Sequence, residues 1–203
     1  MLGIADYGAF CVAVLVFLAL PGPGAFALLT STSKGGIQAG AAATAGVIVG
    51  DQVLMWLAVA GVAALLAAHP MFFKGVQTLG AAYLVWIGLK LIFAPGGKAS
   101  PVHIEPRHYF RQALLITLLN PKAIVFYMAF FPLFIDPAQH QGAVTFVAMA
   151  LTIALLTAVY GLALCACAGV LSARVKADQR LSRALERLAG VVLVGFGIRL
   201  GSQ

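Results

Sequence analysis

Apolar residues run along this chain in long stretches separated by short polar turns. A helix needs about 20 apolar residues to cross a bilayer. The pattern predicts six spans, at residues 7–33, 37–67, 71–93, 112–135, 142–171 and 188–200, the last and shortest with a start near 184. Span 1 carries no charge, and span 2 carries one, Asp51, near its middle. Two spans are interrupted, span 1 at Leu20-Pro21-Gly22-Pro23-Gly24 and span 4 at Asn120-Pro121-Lys122. Proline has no backbone N–H and clashes with the preceding turn, so it breaks or kinks a helix. In a bilayer such a break survives only where protein or a water-filled cavity receives the freed carbonyls. One break in each half of a chain is a pointer to a transporter site.

Composition agrees with the pattern. Of 203 residues, 62% are hydrophobic and only 9% charged, with a mean hydropathy of +1.01; soluble domains carry roughly 25% charge. The expectation is an all-α integral membrane protein with the bilayer as its main partner. The longest polar segments, 94–111 and 172–187, leave no room for a soluble domain. Residues 1–203 therefore read as one transmembrane transporter domain, with halves at about 1–97 and 108–203. The first apolar stretch lacks a basic leader and contains the Pro-Gly break, so it reads as a retained helix rather than a cleaved signal.

The net charge of +7 does not indicate nucleic-acid binding, because the basic residues cluster in loops that flank the membrane. Lys34, then Lys90, Lys98, Arg107 and Arg111, then Arg174, Lys176, Arg180, Arg183 and Arg187 follow spans 1, 3 and 5, while only Lys74 and Arg199 fall on the other side. The positive-inside rule places those three loops in the cytoplasm and both termini outside it. Cys11, Cys165 and Cys167 lie in apolar segments; their odd number and C-x-C spacing fit neither a disulfide framework nor a zinc site, and they read as small packing residues.

An internal repeat underlies the six spans. A shift of 100 residues places Phe10, Ala13, Leu15, Leu18, Pro21 and Phe26 on Phe110, Ala113, Leu115, Leu118, Pro121 and Phe126. A shift of 109 places residues 84–91 on 193–200, with Gly88 and Lys90 matched to Gly197 and Arg199. Apolar matches are common in membrane helices, so the proline and Gly-x-[Lys/Arg] matches carry the weight. Three spans per half is an odd number, so the halves run in opposite orientations, as two inverted three-helix repeats with broken helices 1 and 4. Lys90 and Arg199 then face opposite sides.

Within the spans, few residues can do chemistry. A charge in mid-helix costs roughly 2.5–3.5 kcal/mol on insertion scales, and Asp51 follows Gly46 and Gly50, spaced to let another helix come close. It reads as a protonatable or ammonium-binding group, or as a structural partner of Lys122 or of freed backbone. Lys122 can bind a carboxylate, pair with Asp51 or snorkel to an interface. Asn120 offers a donor and an acceptor beside the break, as kink partner or as ligand. Around Pro21, Gly22, Pro23 and Gly24, and after Pro121, half-helix N-termini would present N–H groups to an anion; the alternative is a packing kink. Tyr127 and Tyr160 are hydroxyls in apolar runs, while Trp56, Tyr83 and Trp86 read as packing or interfacial aromatics.

No metal site is expected from His69, His103, His108 and His140, which lie in loops or at helix ends. No phosphate-binding lysine motif points to ATP, and no cofactor is implied. An enzyme would need a nucleophile–base pair or a metal cluster inside the helices, and neither is found. A metal-ion exporter would need several acidic or His ligands there, and only Asp51 is present. A structural membrane subunit remains as a further alternative.

These residues resemble the LysE/RhtB family of bacterial amino-acid exporters over essentially the whole chain. The resemblance rests on Pro-Gly-Pro-Gly in span 1, Gly46-Val47-Ile48-Val49-Gly50-Asp51 in span 2, the Leu79-Gly80-Ala81-Ala82-Tyr83-Leu84-x-Trp86-x-Gly88-x-Lys90 run in span 3, and Asn120-Pro121-Lys122 with Phe126 in span 4. Residues 50–58 and 120–127 look most like the leucine-efflux branch. The resemblance implies a multi-pass transporter of the bacterial inner membrane that exports amino acids in exchange for protons. It puts Asp51, the first break and Asn120-Pro121-Lys122 in the pathway. Leucine and similar apolar amino acids would then meet Phe26, Phe126 and aliphatic neighbours. Homoserine, threonine or basic amino acids are the alternatives on the same fold, and the oligomeric state stays open between monomer and homo-oligomer.

Overall fold

The computed structural model describes residues 3–4, 6–20, 22–68, 104–105, 107–135 and 142–168, with scattered positions between 75 and 93 and between 184 and 198. Pro21, Tyr83, Lys90 and Arg199 lie outside the described residues, as do the bounds of spans 3 and 6 and most of the basic loop positions that follow spans 3 and 5. Among the described residues the secondary structure is helical, with one isolated antiparallel bridge between Ile4 and Ile135.

Helix α1 (Tyr7–Ala19) starts where the Asp6 carboxylate accepts the Ala9 N–H at 2.9 Å, which satisfies one of the orphan donors of a helix start. It stops at Leu20, whose backbone turns extended just before the Pro-Gly stretch. Helix α2 (Pro23–Ala68) resumes at once, with proline at its first position, where the missing N–H does no harm. Gly36 interrupts it at φ 72° and ψ −170°, a left-handed conformation open to glycine, so spans 1 and 2 join there. Asp51 sits near the middle of the second arm of α2.

Helix α3 (Tyr109–Leu118) begins three residues before the expected start of span 4. The Gln112 side chain explains the difference: its Nε2 donates to the Glu105 carbonyl at 3.0 Å and its Oε1 accepts the Glu105 N–H at 2.8 Å. Arg111, expected in the loop, therefore belongs to the first turn of the helix. After a break at Leu119 and Asn120, helix α4 (Pro121–Val125) winds on into a π turn (Phe126–Phe130) and a 3-10 turn (Phe131–Phe134). Pro132 has no N–H to give the regular ladder, and the Phe131 N–H reaches back to the Phe126 carbonyl. Helix α5 (Ala143–Ala166) is unbroken.

Helix α2 packs most extensively on α3 and then on α5, and small residues allow it. A Cβ on Gly46 would run into the Phe110 carbonyl oxygen, and one on Gly161 would lie 2.6 Å from Thr44 Cγ2. Cys165 is buried beside Thr44, with Sγ 3.8 Å from its hydroxyl, and all three cysteines are free. Described positions of the two remaining apolar stretches are helical and meet through Gly88 and Gly190. Gly88 lies against Val194 and Gly190 against Ile92, a register that makes the two segments antiparallel.

Polarity in α5 is reversed relative to a soluble helix. Val144, Val147, Leu151, Leu155, Val159 and Leu162 are exposed, whereas Thr145, Thr152 and Thr157 are buried. An apolar outer stripe with hydroxyls turned inward suits hydrocarbon as the surrounding solvent. Helices Pro23–Gly61 and Ala143–Ala166 are long and apolar enough to cross a membrane. Two buried apolar clusters fill the interior. One gathers α1, the later part of α2, the run from Ala123 to Ile135 and the start of α5. The other gathers Leu28, Ala43, Val47, Ala113, Leu164 and Cys165.

The glycine contact sets a test. Gly46→Ala should lower stability by about 1–3 kcal/mol, because backbone cannot move aside for the methyl group. Gly61→Ala, whose Cβ would meet nothing within 4 Å, should be neutral or slightly stabilising. Thermal melting of both variants in detergent checks this, and equal melting temperatures would contradict the close-packing account.

Candidate functional site

A cavity of about 40 Å³ lies where the two apolar clusters meet. Both broken helices reach it: Gly22 and Gly24 line it from the first break, Asn120 and Lys122 from the second. Asp51, Thr117, Thr157 and Tyr160 add polar groups, and Phe17, Leu18, Leu20, Leu28 and Val47 supply apolar wall. One water needs about 10–15 Å³ by such a measure, so the space suits a few waters and is too small for a leucine. A substrate of that size requires the walls to part.

Asp51 is 2% exposed. The Thr157 hydroxyl donates to its Oδ2 at 3.3 Å, and the Tyr127 hydroxyl also hydrogen-bonds its side chain. Two neutral donors on different helical segments thus hold this buried carboxyl group. Tyr127 stands behind Asp51 and does not contribute to the cavity wall.

Lys122 has partners that the sequence did not single out for it, the freed carbonyls of the first break. Its ammonium donates to the carbonyl oxygens of Phe17 and Leu20, each at 2.8 Å, and lies 4.6 Å from the centre of the Phe17 ring. These carbonyls belong to the end of α1, where helical partners run out. A cation there also faces the negative end of the helix dipole. Asp51 and Lys122 both line the cavity. Asn120 Oδ1 accepts the Lys122 N–H at 3.1 Å, so Asn120 caps the helix restart.

The remaining sequence candidates fall into two groups. Pro23 and Pro121 open α2 and α4. In the first turn of α2 the Phe26 N–H returns to the Gly22 carbonyl at 3.0 Å. The Gly24 and Ala25 N–H groups precede that ladder, and both residues line the cavity. Gly46 and Gly50 are packing positions: a Cβ on Gly50 would lie 2.8 Å from Thr117 Cβ and Cγ2. Phe126 stacks on Phe17 at 4.0 Å, with 17° between the rings, and supports the wall from behind. Phe26 does not line the cavity.

Sequence reasoning missed Phe17, Thr117 and Thr157. The two threonines were visible as hydroxyls within apolar spans. Nothing local distinguishes such a hydroxyl from one that bonds its own helix, as Thr44 does to the Gly40 carbonyl at 2.9 Å. Phe17 gave no signal beyond its place one turn before the break.

Comparison with known proteins bears on this arrangement. The family model of the LysE type translocator matches residues 15–203. An uncharacterized membrane protein of Pseudomonas aeruginosa is 36% identical, covering 99% of this chain and 97% of that protein. The leucine efflux protein of Klebsiella pneumoniae is 36% identical, covering 98% of this chain and 96% of that protein. The leucine efflux protein of Salmonella typhimurium is 33% identical over the same shares. No solved structure matches the chain. Matched from residue 15 to its last residue by the family model, and nearly end to end by these relatives, the chain belongs to the LysE type translocators, a family of membrane-embedded transporters.

Proposed function

We propose that this protein is a secondary transporter that exports neutral, apolar amino acids, leucine foremost, across the bacterial inner membrane in exchange for protons. The observation that carries the reading is Asp51, a lone buried carboxyl group at a cavity where two broken helices meet. The names of the Klebsiella and Salmonella relatives support leucine as the cargo. The whole chain acts as one domain, and its six spans form two inverted repeats. The antiparallel meeting of Gly88 and Gly190 fits spans 3 and 6 as counterparts in that arrangement. The termini lie on the non-cytoplasmic side, following the basic loops.

The pathway runs past the first break, Gly46 and Gly50, Asp51, and the second break from Asn120 to Tyr127, with Tyr160 on the wall. A zwitterionic amino acid sets its ammonium toward Asp51. Its carboxylate faces the Gly24 and Ala25 N–H groups at the positive end of α2. Its side chain meets Phe17, Leu28 and Val47. The two apolar clusters close the route on either side in turn. Inward proton movement supplies roughly 2.3 kcal/mol per charge per 100 mV, plus any pH gradient.

The deciding experiment measures amino-acid efflux from cells loaded with dipeptides, with and without a protonophore, for the wild type and Asp51→Asn. Leucine efflux that the protonophore abolishes, and that the variant lacks, is the expected result. Efflux of threonine or lysine instead would keep the fold and move the cargo. Coupled transport persisting in Asp51→Asn would remove Asp51 from its role.

Lys122 gives a second expectation. Lys122→Met leaves the Phe17 and Leu20 carbonyls without their donor and should cost about 3 kcal/mol of stability, the scale of charge-assisted bonds. Lys122→Arg, which can still donate to both, should retain most of it. A Met variant that melts like the wild type in detergent would show that the bond to α1 contributes nothing.

A further inference from the structure

Hydroxyls in apolar helices have a default partner, the carbonyl one turn back. In this protein Thr32, Ser33, Thr44 and Thr152 all take it, with distances of 2.8–2.9 Å. Two cavity-lining threonines depart from that habit. Thr157 turns its hydroxyl to Asp51. Thr117 is 3% exposed, and its Oγ1 has no hydrogen-bond partner among the described residues. Ser31 Oγ shares that condition but is not part of the cavity wall.

A buried hydroxyl without a partner destabilises the fold, and valine would fill the same shape without that cost. The place of Thr117 shows what the hydroxyl can serve. Its Cβ and methyl lie against Gly50, the residue next to Asp51, and the missing side chain of Gly50 makes that approach possible. Thr117 also sits in the last turn of α3, where the helix end carries partial negative charge. Its own carbonyl is already engaged by the Asn120 N–H at 3.1 Å. The end of α3 therefore favours a cationic donor over an anion at Thr117.

We propose that the Thr117 hydroxyl is a substrate contact that accepts a hydrogen bond from the ammonium group of the exported amino acid, beside the counter-charge of Asp51. The inference rests on the export reading above and deepens it. Asp51 supplies charge without direction, whereas the hydroxyl supplies direction. Together they select a primary amine over an uncharged group of the same size.

The test is leucine counterflow in liposomes containing the purified protein, with Thr117→Val and Thr117→Ser. Wild-type exchange of leucine comes first, and its absence overturns the export reading and this inference with it. Given exchange, Thr117→Val should raise the half-saturating leucine concentration about tenfold while leaving the maximal rate nearly unchanged, and Thr117→Ser should stay close to the wild type. Without leucine, Thr117→Val should melt at or above the wild-type temperature. 4-Methylpentanoate, which is leucine without its amino group, should inhibit wild type and Thr117→Val alike. The proposal fails, with the export reading intact, if Thr117→Val keeps wild-type half-saturation. It fails equally if serine loses as much as valine, or if 4-methylpentanoate inhibition weakens in parallel. Should Thr117→Val not fold, Thr117→Ala against Thr117→Ser reads the same difference.

Discussion

A carbonyl oxygen released inside a bilayer has no water to turn to, and the fold is arranged around where such oxygens go. The end of α1 hands two of them, from Phe17 and Leu20, to the ammonium of Lys122, more than 100 residues away in the chain. That one side chain therefore joins the two breaks into a single structure. Phe17 lies beneath the same ammonium and carries Phe126 stacked on it, so the polar tie and the aromatic packing reinforce each other. Without the tie, each break would be a local defect in a helix. With it, the breaks become two walls of one cavity.

The polar groups that line the cavity lie at one level. Asp51, Thr157 and the second break all lie near the middles of their helical runs, and the first break lies midway through the run that ends at Gly36. Small residues then bring α2, α3 and α5 close enough for those middles to share a space a few waters wide. Helix α5 is thus apolar toward its surroundings and turns one of its buried hydroxyls, Thr157, to the shared cavity. In a membrane-embedded translocator this inversion is the economical way to hold a zwitterion away from lipid.

Much of this was legible in the sequence because its causes are local. Proline and glycine announce both breaks, and a lone carboxylate in an apolar run announces Asp51. Gly36 stands in a polar turn between two spans, where the chain indeed bends. What stayed hidden depends on partners distant in the chain. Lys122 had three uses in view, and its bonds to freed carbonyls, a fourth, depend on where α1 ends in space. Tyr127 could have faced the cavity, but it stands behind Asp51. The start of span 4 was misplaced because Gln112 fastens to Glu105 across an apparent loop. The π winding after Val125 ends just before Pro132, a proline the apolar pattern of span 4 passed over.

The two interior clusters differ in kind, and the difference gives the molecule a preferred direction of yielding. One is built on Phe10, Phe17, Phe126, Phe131, Phe134 and Phe146, with Phe17 stacked on Phe126 and Phe10 tilted against Phe134. The buried members of the other are aliphatic or small, from Ala43 and Ala113 to Cys165. Parting aromatic surfaces exposes more area and breaks more specific contacts than parting small side chains. The lighter side lies toward the Lys34 end of the cavity, where Leu28 and Ala43 flank the bend at Gly36. Of the two faces of the cavity, the one walled by small side chains therefore opens at the lower cost in exposed apolar area.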